Sequence, residues 1–83
     1  MRYVVLDTET TGLSPADGHR IIEIAAIEVV NRSVTNNTYQ VYINPKRIVE
    51  PEAYDVHGIS DEFLSDKPVF EEIVDEFMSF VSG

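Results

Sequence analysis

Two carboxylates stand two residues apart, Asp7 and Glu9, behind the apolar run Val4-Val5-Leu6 and ahead of Thr10-Thr11-Gly12-Leu13. In an extended chain, residues i and i+2 project from one face, about 6.5 to 7 Å apart. Two acids held side by side repel each other and are costly unless a cation lies between them. A hard divalent ion such as Mg²⁺ or Mn²⁺ removes that cost, taking one or two carboxylates and completing its shell with water and substrate phosphate. Two such ions roughly 3.5 to 4 Å apart activate a water and stabilise the leaving oxygen in phosphodiester hydrolysis. The plain alternative is a strand end fringed by two solvated acids, and an isolated Asp-x-Glu does not decide between them.

Positioning such a pair requires a strand. Residues 3–8, a short β-branched and aromatic run, are expected to form a buried one. Ser14 to Gly18 carry loop chemistry. Residues 20–30 are rich in Ile and Val and read as a second, long strand, with β-branching deciding against a helix. Asn31 to Asn37 form a polar connection, and residues 38–44 alternate as a third strand, antiparallel to the second. Asn44-Pro45 ends that strand, because proline cannot continue the ladder. Pro51 suits the start of a short helix through Asp55, and Ser60 suits the cap of a further turn over residues 61–64. After Pro68, the three- and four-residue spacing of Phe70, Ile73, Val74, Phe77, Phe80 and Val81 predicts an amphipathic helix, with Glu71, Glu72, Asp75 and Glu76 on its other face. A three-stranded sheet covered by one helix is a legitimate small layer. It leaves the outer edge of the first strand bare, which favours self-association.

Composition narrows the classes. The chain has 83 residues, 43% of them hydrophobic, and no cysteine, which excludes disulfides and thiolate-bound zinc. Neither a secretory leader nor an apolar stretch long enough for a membrane span is visible, so a cytoplasmic domain is expected. The formal charge of −9 is unevenly spread: residues 1–49 hold five acids and five bases, whereas residues 50–83 hold ten acids and only Lys67. Any nucleic acid would therefore be held by something other than bulk positive charge.

The string Asp7-Thr8-Glu9-Thr10-Thr11-Gly12-Leu13, followed by Arg20-Ile21-Ile22-Glu23-Ile24, resembles the first motif of the DnaQ-like (DEDD) 3'-to-5' exonuclease family. "VVNR", "VYINP" and "VEPEAYDVHGISDEFLSDKPVFEEIVDEFMSF" are similar to its bacterial proofreading members, so the resemblance spans almost the whole chain. It implies an α/β, ribonuclease H-like fold, of which the chain would supply the N-terminal portion. That portion comprises three antiparallel strands, short helical turns and one amphipathic helix. It implies metal-dependent removal of 3'-terminal nucleotides from DNA, with two divalent ions (Mg²⁺ or Mn²⁺) in the complete domain.

Carried over by position, Asp7 would bridge both ions and Glu9 would ligate one. Asp7, Glu9, Thr10, Thr11, Gly12, Leu13, Glu52 and His57 would line the pocket of the terminal nucleotide, with main-chain groups near Thr10 and Thr11 bonding it. The implied partners are the single-stranded 3' end of DNA and the alpha and theta subunits of the bacterial replicative polymerase. Ala25 stands where many relatives have glycine. The family's later acidic motifs and its histidine base have no counterpart within residues 14–83, so a single incomplete domain, inactive alone, is expected. Two other readings stay open: a non-catalytic docking module, and an exonuclease of the same family directed at RNA. His19, in a polar loop, is expected to be merely solvated.

Overall fold

Three strands form one antiparallel sheet in the order β1-β2-β3: β1 (Arg2–Thr10), β2 (Ile21–Val30) and β3 (Ser33–Tyr42). Three helices follow, α1 (Pro51–His57), α2 (Asp61–Leu64) and α3 (Phe70–Ser82). The computed structural model describes residues 1–12 and 18–82. Element types and order match the expectation, and several bounds move.

The largest change is at the β2–β3 connection. Asn31 and Arg32 both take left-handed backbone angles, φ 50° and 71°, and Val30 pairs directly with Ser33. This is a two-residue turn of the kind whose twist matches a hairpin. Residues 33–37, expected as loop, are therefore strand. Their polar side chains suit an exposed edge, and a register irregularity between Ile27 and Val29 accommodates them. At the other end, α1 runs on to His57 rather than stopping at Asp55, and Gly58 closes it in the left-handed region at φ 69°. In α2, the Ser60 side chain accepts from the Phe63 N–H at 3.1 Å, a capping bond of the expected kind.

Register assigns the two faces of the sheet. Thr8 lies opposite Ile24 and Leu6 opposite Ala26, whereas Asp7 lies opposite Ala25 and Val5 opposite Ile27. The Ile24 face carries the core. Ile24, Ile43 and Ile73 are buried together with Ile21, Val41 and Phe77 packed around them, which seats α3 across β2 and β3. A second cluster, Ile22, Val49, Ala53 and Leu64, ties α1 and α2 to the start of β2. The acids of α3 face solvent as expected, and Glu76 accepts a 2.8 Å hydrogen bond from the Tyr39 hydroxyl. Burial first, and then the Glu76 carboxylate, push the Tyr39 hydroxyl up to about 12.

The first strand is not buried. Tyr3 and Val5 are 57 and 56% exposed on the sheet face that α3 leaves open, and Leu6 is 50% exposed on the other face, where α3 packs on β2 and β3. Its start is anchored by Arg2, which pairs with Glu28 at 2.5 Å and donates to the Phe80 carbonyl at 2.6 Å and the Val81 carbonyl at 3.3 Å. Those carbonyls belong to the last turn of α3, which has no basic residue of its own. A guanidinium there complements the negative end of the helix.

Candidate nucleotide and metal site

Asp7 and Glu9 project from the same sheet face at the C-terminal end of β1, the face that α3 leaves uncovered. Alternation along the strand produces this placement, and the register holds without a shift from Arg2 to Glu9 before slipping between Glu9 and Thr10. Asp7 is exposed and Glu9 half-buried. Directly across from Glu9 stands a third acid, Glu23, whose carboxylate accepts from the Gln40 amide at 2.7 Å. Like charges in opposed strand positions destabilise a sheet, and the amide partly offsets this on the Glu23 side. Among the described residues, no group of three or more His, Cys, Asp or Glu is arranged to hold a metal ion. Asp7 and Glu9 nonetheless supply the hard oxygen donors, in the number, that Mg²⁺ takes from protein when water and phosphate complete its shell.

Beyond the bulge, the Thr10–Gly12 turn is held from several sides. The Ile59 N–H donates to His57 Nδ1 at 3.0 Å, so that nitrogen is an acceptor and the proton sits on Nε2. Nε2–H then donates to the Thr10 carbonyl at 3.1 Å. The Thr10 hydroxyl donates to the Gly12 carbonyl at 2.6 Å. Thr11 is fully buried, its N–H bonded to the Arg20 carbonyl at 3.0 Å and its carbonyl to the Glu50 N–H at 2.7 Å. Its Oγ1 accepts from the Arg20 N–H at 3.0 Å and lies 3.0 Å from His19 Nδ1. That oxygen has a second lone pair as well as its proton, so it can partner the imidazole nitrogen in either tautomer of His19.

His19 was missed by sequence reasoning. It is half-buried rather than solvated, and its ring lies where a side chain on Gly12 would be: a Cβ there would come within 2.0 Å of Nε2. Gly12 is needed because an imidazole occupies that space. Nothing in the local sequence announces this contact between Gly12 and His19.

The site residues named from sequence thus divide. Asp7 and Glu9 come together, and Thr10, Gly12 and His57 gather at the end of the same strand. Thr11 lies behind the wall, with both main-chain groups and its hydroxyl already bonded, and so offers a ligand no free polar group. Glu52 is exposed in the first turn of α1, and five residues of helix turn it away from the His57 direction. Leu13 lies outside the described residues. A cleft of about 360 Å³ between Arg20, Ile43, Lys46 and Phe70 involves none of these residues.

Comparison with known proteins fits this geometry. The family model described as RNase_T, exonuclease, matches residues 4–83, and the chain belongs to that exonuclease family. It is 57% identical to the DNA polymerase III subunit epsilon of Escherichia coli (strain K12), over 99% of this chain and 35% of that protein. It is 56% identical to the subunit epsilon of Rickettsia conorii, over 99% of this chain and 36% of that protein. The chain therefore spans about a third of the length of these curated relatives. Among solved structures, exonuclease X in complex with 5' overhanging duplex DNA superposes with a TM-score of 0.77 at 30% identity, covering 89% of this chain and 42% of that one. Escherichia coli exonuclease I in complex with an oligonucleotide gives a TM-score of 0.79 at 23% identity, over 94% of this chain and 18% of that one, a likeness of fold. No helix among the described residues is long and apolar enough to cross a membrane.

Proposed function

We propose that this chain supplies the metal- and nucleotide-holding half of a 3'-to-5' exonuclease site in a protein that proofreads DNA during replication. The observation that carries the reading is the shared projection of Asp7 and Glu9 beside the pinned Thr10–Gly12 turn. Its likeness to polymerase III epsilon subunits along its whole length supports DNA as the substrate, and a single-stranded 3' end as the form in which a terminal nucleotide reaches the turn. The alpha and theta subunits of that polymerase are the corresponding partners, and the cytoplasm the corresponding compartment.

Divalent Mg²⁺ or Mn²⁺ ions, when bound, supply Lewis acidity at the scissile phosphate and a water acidic enough to attack at neutral pH. The chain's own residues do the positioning. Asp7 and Glu9 offer their carboxylates side by side, Gly12 makes room for the His19 imidazole behind the turn, and His57 holds the Thr10 carbonyl so that the wall does not move. His57 is not placed to serve as a base, since Nδ1 already accepts and Nε2 already donates. A missing general base commonly costs about 10² to 10⁴ in rate. The chain alone therefore cleaves single-stranded DNA at most weakly, in a manner lost in the Asp7→Ala, Glu9→Ala double variant.

Paramagnetic broadening tests the binding half without relying on activity. As Mn²⁺ is added, the amide signals of Asp7, Glu9 and the cross-strand Ala25 should broaden first, and Asp7→Asn should abolish the effect. Broadening that begins instead at Glu71, Glu72, Asp75 and Glu76 of α3 would overturn the assignment.

A further inference from the structure

The ladder that aims the two carboxylates stops short of the turn beside them. One register runs from Arg2 to Glu9, so Asp7 and Glu9 are placed by main-chain pairing with β2. The register shifts between Glu9 and Thr10, and the Thr10–Gly12 turn lies past that break. Contacts from three other segments hold it.

Two of these supports act through backbone or from a distance in the chain. His57 of α1 donates to the Thr10 carbonyl at 3.1 Å, and the Glu50 N–H, just ahead of α1, donates to the Thr11 carbonyl at 2.7 Å. The third support, residues 18–20, puts a ring against the turn. The Arg20 N–H donates to Thr11 Oγ1 at 3.0 Å, and His19 Nδ1 lies 3.0 Å from the same oxygen. The far edge of that imidazole, Nε2, Cε1 and Cδ2, stands where a Cβ on Gly12 would be. One ring is thereby pinned to Thr11 and fills the space against Gly12. Both of its chain neighbours are anchored in turn, the Gly18 carbonyl accepting from Arg47 Nη1 at 3.1 Å and Arg20 Nη1 donating to the Pro45 carbonyl at 3.1 Å. The imidazole bears on the turn from a fixed base.

We infer that His19 is a positioning residue for the terminal nucleotide: its imidazole sets where the Thr10–Gly12 turn stands, while the sheet alone sets the metal-holding carboxylates. This role rests on the nucleotide site proposed for the chain. Without the ring, the buried Thr11 hydroxyl loses one partner, and space opens beside a glycine, the residue whose backbone is freest to move into it. The turn then spends part of its time away from the position that receives the nucleotide, and apparent affinity falls by the fraction of time it is in place. Asp7 and Glu9, on the near side of the register break, keep their ladder. Nucleotide affinity and metal affinity therefore separate in a His19 variant, whereas a general loosening of the fold lowers both.

Three substitutions test this. His19→Ala removes the ring, His19→Asn puts an amide where Nδ1 stands, and His19→Gln puts one where Nε2 stands; an amide both donates and accepts, so it serves Thr11 in either sense. With Mg²⁺ saturating, thymidine 5'-monophosphate is titrated into the ¹⁵N-labelled chain while the Thr10 and Gly12 amide shifts are followed. Mn²⁺ broadening at Asp7 and Ala25 is measured separately and also reports that the sheet is intact. His19→Ala and His19→Gln should bind the nucleotide at least about fivefold more weakly, the size of one hydrogen bond's net contribution expressed as affinity. His19→Asn should stay within about twofold of the unaltered chain, because it restores the bond that fixes the turn. All three should need the same Mn²⁺ concentration. Equal nucleotide affinity in every variant, a parallel loss of the Mn²⁺ response, or an asparagine variant as weak as the glutamine one overturns the role of His19 and leaves the nucleotide site standing. An unaltered chain whose Thr10 and Gly12 amides do not respond to the nucleotide overturns the site itself, and the role of His19 with it.

Discussion

At the scale of single residues, the site depends on side chains whose work is to hold backbone. His57 accepts from Ile59 and donates to Thr10, so one neutral tautomer ties the end of α1 to the end of β1. A long-range ¹H–¹⁵N correlation spectrum should show its proton on Nε2. His57→Ala should cost about 1 to 3 kcal/mol by urea denaturation, the usual cost of leaving partly buried hydrogen-bonding groups without partners. The amides of Ile59 and Gly12 should exchange faster in the same variant. Gly12 makes a sharper test. An added Cβ meets the His19 ring at 2.0 Å, a separation no contact tolerates, so Gly12→Ala must expel the imidazole and leave the buried Thr11 hydroxyl without its His19 partner. That variant should lose a further similar amount, about 1 to 3 kcal/mol. Pairing it with His19→Ala should recover part of the loss, because the second change empties the space the first one needs. A double-mutant cycle measures the recovery as a coupling between the two positions.

At the scale of elements, what could be read in advance was whatever is decided locally. The α2 cap was legible because a serine hydroxyl and an N–H three residues on suffice to make it. The amphipathic run of α3 was legible because its spacing is independent of what it packs against. The first half of β3 was not. Residues 33–37 have no apolar alternation, and they become strand only because Asn31 and Arg32 take the tight-turn angles and β2 supplies a ladder. The exposure of β1 was misread because an apolar run looks the same whether or not a layer lies over it. The pairing of Asp7 with Glu9 followed from strand alternation alone, whereas the roles of His19 and Thr11 depend on a contact between residues eight apart in the sequence. Glu28 is the clearest case of one side chain joining elements. Bonds from Arg2 of β1 and then Thr35 of β3 hold its carboxyl below the ordinary value of 4.5. A depressed acid binds its proton less readily when folded than when unfolded. Its contribution to stability is therefore complete above the ordinary value and disappears as pH falls through the lower folded value. Urea midpoints taken between about pH 6 and 3 should fall more steeply for the unaltered chain than for Glu28→Gln, the difference closing at the acid end.

At the scale of the whole molecule, stability rests on two small apolar clusters that share one strand. Ile22 serves the cluster under α1 and α2, and Ile24 serves the cluster under α3. A chain of 83 residues buries only about 60 to 65% of its unfolded surface, and domains of this kind have total stabilities at the low end of about 5 to 15 kcal/mol. Among the described residues, Ile73 is the one helical side chain of the second cluster that is buried outright, lying against Ile24 and Ile43 with 3% of its surface exposed. Truncating such a side chain costs about 2 to 5 kcal/mol. Ile73→Ala should therefore remove a large share of the total, release α3 from β2 and β3, and free the Phe80 and Val81 carbonyls from Arg2. Leu64→Ala, in the other cluster, should destabilise by a similar amount yet leave α3 seated. Amide exchange distinguishes the two: in Ile73→Ala, protection is lost first along α3 and at Tyr39 and Val41, whereas in Leu64→Ala it is lost first in α1 and α2. Because α1 carries His57, only the second variant should also loosen the Thr10–Gly12 turn, and the order in which Thr11 and Phe77 lose protection in the two variants measures how far the site's rigidity depends on one cluster alone.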